Sequence, residues 1–272
     1  MGRILRLAIT LLEEHLDIKI VRQDTWLKVQ HELPLLHSEM RWEKLQSKRF
    51  NELKLFVLEN MALSKAQLQQ DLAAKYLCMN MIREKSVEGH FFVEIGANDG
   101  ITLSNTYLLE QGFSWSGILC EANPEMIQML KMHRKHSKVD GRAVDEFSHQ
   151  QSIFLKTKES TYSALAGNSI HVSKFVGAEP IQVNTISATD LLLEHSAPRF
   201  IDYLSIDTEG NELQILQGLD FSVFNFGFIT VEVSRNGKKI AELLRENGYE
   251  QILQEVSAWE QWWIKRESFS HK

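Results

Sequence analysis

The sequence predicts a doubly wound α/β fold, in which a mostly parallel seven-stranded sheet ends in an antiparallel hairpin and follows an all-helical N-terminal extension. Three observations predict it. From residue 91 onward, short and nearly continuous apolar runs alternate with helical stretches, the pattern of a parallel sheet covered on both faces. The first run, Phe91-Phe92-Val93-Glu94-Ile95, leads at once into the turn Gly96-Ala97-Asn98-Asp99-Gly100 and a helix. The last two runs, 249–256 and 262–265, are joined by only 257–261, too short for a parallel crossover, so they pair antiparallel.

Residues 1–60 read as helical throughout and form an extension ahead of a main α/β domain over 61–272. Near the start, Arg3 and Arg6 precede an apolar patch over 7–12, which Glu13, Glu14 and Asp17 end. No small-residue cleavage site follows, and the patch is far shorter than the roughly 20 apolar residues of a spanning helix. It reads as an amphipathic helix with Ile4, Leu7, Ala8, Leu11 and Leu12 on one face, packing against protein, with a membrane surface as the alternative. The extension as a whole buries its face on the following domain or on a second copy of the chain. After Pro34, Trp42, Leu45, Leu53 and Phe56 keep to one side of a long helix, and a further helix covers about 65–83. The strands expected next are 91–95, 118–120, 139–143, 152–156, 180–185, 203–206 and 228–231, then the terminal pair. Helices over 104–111, 124–136, 187–195, 210–217 and 236–247 separate most of them.

Composition excludes several classes. Acidic residues outnumber basic ones, 36 to 30, so no global positive field recruits nucleic acid or anionic lipid. Cys78 and Cys120 are the only cysteines, which excludes a disulfide-rich secreted scaffold. The expectation is a cytoplasmic protein without a transmembrane segment.

The glycine turn over 94–100 is where backbone approaches a cofactor closely. Glu121 ends the next strand, the place from which a carboxylate accepts both hydroxyls of a ribose. A dinucleotide site needs a second glycine two positions after the first, so that pyrophosphate can sit on the helix N-terminus. That position is Asn98, whose side chain obstructs a diphosphate. S-adenosylmethionine, which has no phosphate, fits better than NAD, and Glu94 is placed to meet its ammonium. An ordinary strand-to-helix turn without ligand is the competing reading.

Several segments then resemble, in order, the FkbM-type methyltransferases, a class I S-adenosylmethionine-dependent family. They are SKAQLQQDL (64–72), FFVEIGANDG (91–100), LSNTYLLE (103–110), WSGILCEANPE (115–125), GRAVDE (141–146), VNTISATDLL (183–192), DYLSIDTEGNELQILQG (202–218) and FITVEV (228–233). The resemblance covers about 64–266 and implies a Rossmann-like fold. It implies methyl transfer to oxygen, often on sugars, glycans or natural products. The cofactor set expected from these segments is Glu94, Gly96, Ala97, Asn98, Asp99, Gly100, Ser104, Asn105, Glu121, Ala122, Asn123, Ala143 and Asp207. One departure is Glu232-Val233-Ser234, where the family often has Glu-His-Asn, so no role for that histidine carries over.

Methyl transfer to an alcohol is helped by a base near the hydroxyl, typically by about 10²–10⁴-fold. Asp207, Glu209 and Glu232 follow strands whose C-terminal ends border the cofactor crevice. Asp207 is the first choice for orienting or deprotonating the acceptor, with Glu209 or Glu232 assisting. The same carboxylates can hold one divalent cation such as Mg²⁺. Glu209 also reads as a helix N-terminal acid and Glu212 as a solvated helix residue. No histidine pair has zinc spacing. His133 and His136 read as exposed on a solvated basic helix with Lys131, Arg134, Lys135 and Lys138, and Cys120 as inert packing. Trp259, Trp262 and Trp263 read as one aromatic cluster that packs the sheet or stacks on a sugar. Residues 160–178 read as a loop over the site, with Tyr162, His171 or Lys174 touching the acceptor. The leading expectation is an O-methyltransferase acting on a sugar or glycan hydroxyl. The alternatives are a non-catalytic cofactor-binding or assembly module and, behind it, a nicotinamide oxidoreductase.

Overall fold

The computed structural model describes residues 34–82, 89–166, 177–233 and 235–267. The amphipathic stretch over 4–12, His171, Lys174 and Ser234 lie outside them.

A helix over 34–43 (α1) opens the described chain and stops at 44–47. Lys54 closes this end by donating to the Glu43 and Leu45 carbonyls at 2.8 and 3.0 Å. The long helix expected after Pro34 is therefore two: α1, then a 3₁₀ turn Lys48–Phe50 running into α2 (Asn51–Asn60). The helix expected from 65 begins later, as α3 (Gln70–Asn80), because Gln69 takes a left-handed φ of 61° and turns the chain just before it.

Seven strands form the main sheet. They are β1 (Phe91–Ile95), β2 (Ser116–Cys120), β3 (Lys138–Asp140), β8 (Phe200–Ile206), β9 (Asn225–Glu232), β10 (Tyr249–Ile252) and β11 (Glu260–Lys265), in the order β10-β11-β9-β8-β1-β2-β3. β1 pairs in parallel with β2 and β8, as do β2 with β3 and β8 with β9. The terminal pair is antiparallel as expected, with Tyr249 opposite Lys265, but β11 inserts between β9 and β10 rather than closing the edge. All seven residues of β8 are buried, the reason its sequence is mostly apolar on both faces rather than alternating; its two polar residues, Asp202 and Ser205, are buried with hydrogen-bond partners.

The expected strand over 139–143 is broken at Gly141. Its first half is β3, and its second is β4 (Ala143–Asp145), in a second sheet. That sheet also takes β5 (Gln151–Lys156), β6 (Ala164–Leu165) and β7 (Glu179–Ser187), in the order β4-β7-β5-β6, with β5 antiparallel to both neighbours. The runs at 152–156 and 180–185, expected in the parallel sheet, belong here instead. Two adjacent antiparallel strands satisfy each other without a crossover helix.

Alternation along β1 sends Phe92 and Val93 to opposite faces. On Phe92's side, Trp42, Leu53, Val57, Leu72 and Leu77 from α1–α3 share one core with Tyr203, Phe228 and Trp262. α4 (Tyr107–Phe113) and α5 (Pro124–His133) complete it through Leu109 and Leu130. On Val93's side lie α6 (Ala188–Glu194), α7 (Glu212–Gln217) and α8 (Gly237–Glu246), contributing Leu191, Ile215 and Leu244. Trp262 and Trp263 therefore fall on opposite faces of the sheet, and the three tryptophans form no single cluster. Among the described residues, no helix is long and apolar enough to cross a membrane.

Candidate active site

The C-terminal ends of β1, β2, β8 and β9 open into one cleft of ≈ 450 Å³. Glu94, Gly96, Ala97, Asn98, Ser104, Asn105, Glu121, Ala122 and Ala143 line it, as do Asp207, Glu209 and Glu232. Asp99, Gly100 and Asn123 do not line it and serve the local backbone. Asp99 Oδ1 accepts from the Ile101 and Thr102 amides at 2.9 and 2.7 Å, and the Asn123 side chain caps α5 by accepting from the Glu125 amide.

The glycines are dictated by protein neighbours. Gly96 has φ +92°, and a Cβ there would lie 1.7 Å from the Asp207 carbonyl oxygen. At Gly100, φ is +81° and a Cβ would lie 2.5 Å from Leu130 Cδ1. Asn98, where a dinucleotide site has glycine, adopts φ +47°, a region asparagine tolerates. The Gly96 and Ala97 amides both donate to the Cys120 carbonyl, and the Asp207 amide donates to the Ile95 carbonyl at 3.0 Å.

Glu94 is buried, and burial raises its pKa against the pull of Arg134 and of its hydrogen bonds. Its carboxylate accepts from Ser104 Oγ, the Asn105 amide at 2.7 Å and Thr106 Oγ1 at 2.5 Å. These bonds hold the start of α4 against the cleft, so Glu94 shapes the wall through protein partners. Arg134, expected on a solvated helix face, is instead fully buried. It donates to Glu110 at 2.9 Å, to the Gly100 carbonyl, to Ser104 Oγ and to Thr106, and lies 3.7 Å from Glu94. Carboxylate and hydroxyl partners from three segments draw the guanidinium inward.

Glu121 is fixed by two backbone donors, the Asn98 amide at 2.8 Å and the Asn123 amide at 2.7 Å. Burial raises its pKa against these bonds. Each oxygen keeps a lone pair for a further donor.

One carboxylate oxygen from each of Asp207, Glu209 and Glu232 lies within 4.8 Å of the others. Burial pushes all three pKa values up, and their mutual repulsion adds to it at Glu209 and Glu232. Glu209 reaches about 8. Asp207 and Glu232 titrate as a pair: their contact pulls the Asp207 pKa down against burial and pushes that of Glu232 further up. Glu212, expected to be solvated, is buried. It accepts from the Gly210 amide at 2.7 Å and Thr208 Oγ1, closing the turn that presents Glu209. Burial also pushes the Cys120 thiol up, in keeping with inert packing.

Tyr162 lines the cleft as expected for the segment after β5, along with its neighbours 160–163. Gln67, Arg142, Phe154 and Leu165 also line it, beyond the residues that the sequence singles out. Phe154 and Leu165 come from the second sheet, whose strands the sequence marks without marking their pairing. Gln67 carries no local signal.

No curated protein sequence matches the chain. Among solved structures, a TehB-like SAM-dependent methyltransferase from Corynebacterium glutamicum is 10% identical, with 76% of this chain and 90% of that chain covered and a TM-score of 0.35. A methyltransferase from Pyrococcus furiosus is 12% identical over 71% and 81%, at 0.34. A mutant of MtNAS in complex with S-adenosylmethionine is 8% identical over 89% and 76%, also at 0.34. These are distant likenesses, and the assignment rests on the sequence family. The model of the methyltransferase FkbM domain matches residues 94–251, more than half of the chain and all of the turn, trio and strand ends described above. The chain belongs to the FkbM methyltransferase domain family.

Proposed function

We propose that the protein is an S-adenosylmethionine-dependent O-methyltransferase acting on a hydroxyl of a sugar, a glycan or a related natural product. The observation that carries the reading is the convergence of Asp207, Glu209 and Glu232 in the cleft that Glu121 also lines. The cleft also fits the cofactor. Asn98 Oδ1 is buried without a hydrogen-bond partner among the described residues, an acceptor awaiting a hydroxyl or ammonium donor. Glu121 offers two acceptor oxygens for ribose hydroxyls, and the side chain at Asn98 stands against a diphosphate. When bound, the cofactor supplies a methyl group already activated on a sulfonium sulfur.

The chain's own task is to orient the acceptor and take its proton. Asp207, the carboxyl of the pair whose pKa the contact with Glu232 pulls down, is the base: the acceptor O–H proton passes to its carboxylate oxygen as the acceptor oxygen forms its bond to the methyl carbon and the sulfur–methyl bond breaks. The raised pKa values of the trio strengthen that base relative to a solvated carboxylate. A second reading is favoured by the same 4.8 Å convergence, namely one divalent cation held by the three carboxylates and lowering the acceptor hydroxyl's pKa.

Calorimetric titration with S-adenosylhomocysteine and with NAD tests the cofactor. Binding of NAD alone by folded protein refutes the proposal. Asp207→Asn then tests the trio: turnover falls at least ~100-fold, with cofactor affinity nearly unchanged. A base role leaves wild-type activity insensitive to chelator, whereas a cation role makes it chelator-sensitive and restored by added Mg²⁺. Wild-type turnover in Asp207→Asn removes Asp207 from the chemistry.

A further inference from the structure

Among the described tryptophans, Trp259 alone is half exposed, at 49%, and it lines the cleft. Its position is fixed. The Trp259 carbonyl accepts from the Val233 amide at 3.0 Å, extending by one step the ladder that pairs Glu260 with Glu232. The indole is thus carried beside the strand end that bears Glu232.

Gln67 is brought to the same end. Buried Glu260, the residue after Trp259, accepts from Gln70 Nε2 at 2.5 Å and from Trp262 Nε1 at 2.6 Å. The Gln70 side-chain oxygen in turn accepts from the Leu68 amide at 2.9 Å. Gln69 is held from the other side by Trp42 and Ser38. An exposed glutamine at the cleft is therefore presented by a backbone held just after it, at Leu68, Gln69 and Gln70, and none of these bonds uses its own amide.

We infer that Trp259 and Gln67 form the acceptor rim, and that the acceptor is a neutral saccharide. Its apolar ring face stacks on the indole, while its hydroxyls meet the Gln67 amide and the carboxyl groups of Glu209 and Glu232. An aromatic plane beside amide and carboxyl groups matches the alternation of C–H faces and O–H edges on a pyranose. The negative charge that the trio keeps, at Asp207, faces the acceptor and disfavours a carboxylate or phosphate on it. The inference rests on the methyltransferase reading and narrows it, from any sugar or glycan to an uncharged ring.

The test uses the full chain saturated with S-adenosylhomocysteine. The indole N–H resonances are followed by NMR during titration with methyl β-D-glucopyranoside, methyl α-L-rhamnopyranoside, D-glucuronate and glucose 1-phosphate. Loss of one resonance in Trp259→Phe identifies Trp259. The expected result is that a neutral glycoside shifts the Trp259 resonance and the two anions do not. By calorimetry, Trp259→Ala weakens glycoside binding about tenfold, Trp259→Phe recovers most of it, and both keep wild-type affinity for S-adenosylhomocysteine. The proposal is overturned if the anions bind as well as the neutral glycosides, if no glycoside moves the resonance, or if Trp259→Ala binds them normally. Those outcomes leave the cofactor reading standing. Failure of wild-type protein to bind S-adenosylhomocysteine refutes that reading instead.

Discussion

Replacing Arg134 by methionine keeps much of the side chain's length and removes its charge. In the structure that charge lies 2.9 Å from Glu110 and 3.7 Å from Glu94, all three side chains being almost wholly buried. Deleting one member of a buried ion pair costs about 3–5 kcal/mol, because the carboxylates left behind are uncompensated. At roughly 2–4 °C per kcal/mol for a domain of this size, the melting temperature should fall by roughly 6–20 °C. The penalty should depend on pH. Without Arg134 the Glu94 pKa rises further above its unfolded value, so the folded state binds a proton that the unfolded state releases. Stability is then recovered as pH falls and lost as pH rises through the raised pKa. Scanning calorimetry of wild type and variant at several values between pH 5 and 8 measures both effects. Because Arg134 also grips Ser104 and Thr106, affinity for S-adenosylhomocysteine should drop with it, and Arg134→Lys should restore only part, lacking the planar fork. A variant that melts within about 2 °C of wild type, or a penalty flat in pH, refutes this account.

Glu121→Gln should weaken S-adenosylhomocysteine binding by about tenfold to a hundredfold, since each charge-assisted bond contributes about 1.5–3 kcal/mol. It should also lower the melting temperature, because an amide nitrogen cannot accept from the Asn98 or Asn123 backbone; unchanged affinity would take Glu121 out of the site. Gly96→Ala should abolish cofactor binding and depress folding yield, given the 1.7 Å approach to Asp207, whereas Gly89→Ala, with φ +104° and nothing within 4 Å, should cost only the roughly 1–2 kcal/mol of a left-handed residue. Comparable melting of the two variants would contradict the packing argument. The melting temperature of the wild type should fall between pH 5 and 8, since Glu209 and Glu260, each at about 8, keep protons that the unfolded chain gives up near its ordinary carboxylate pKa. Glu209→Gln should flatten that slope, and a rising melting temperature over this range would refute it.

The parts of the fold that are legible in the sequence are those whose signal is local. Near-continuous apolar runs betray β1, β8 and β9, because a strand buried on both faces has no polar side to show. The Asn123-Pro124 cap and the Ser187 cap mark the starts of α5 and α6 closely. The second sheet is not legible, since β5 and β7 carry strand-like residues but nothing local states which neighbour a strand will pair with. Arg134 and Glu212 depart from expectation for a related reason. Charged residues on helices are usually solvated, and only the tertiary partners, Glu110 and Ser104 for one and the Gly210 amide for the other, draw these two inward. The turn glycines stand out in the sequence at the right positions and for an incomplete reason: it is Asp207 and Leu130, distant in sequence, that exclude a Cβ.

That last contact bears on how the site works as a unit. The Gly96 turn and the Asp207 strand end are in van der Waals contact, and the Asp207 amide completes the β1 ladder at Ile95. The segment that shapes the cofactor cleft and the segment that carries the proposed base are therefore one packed element. A shift of either strand end moves both, so in the proposed reaction the distance between methyl group and acceptor is set by backbone packing rather than by flexible side chains. Positioning of that kind is where a reaction with an already activated leaving group gains most of its rate. It also assigns the carboxyl trio a narrower task. With the reactants fixed by β1 and β8, Asp207, Glu209 and Glu232 have, in the proposed reaction, only to manage one proton and the charge that its departure leaves on the acceptor, and their shared burial, which raises all three pKa values, suits them to it.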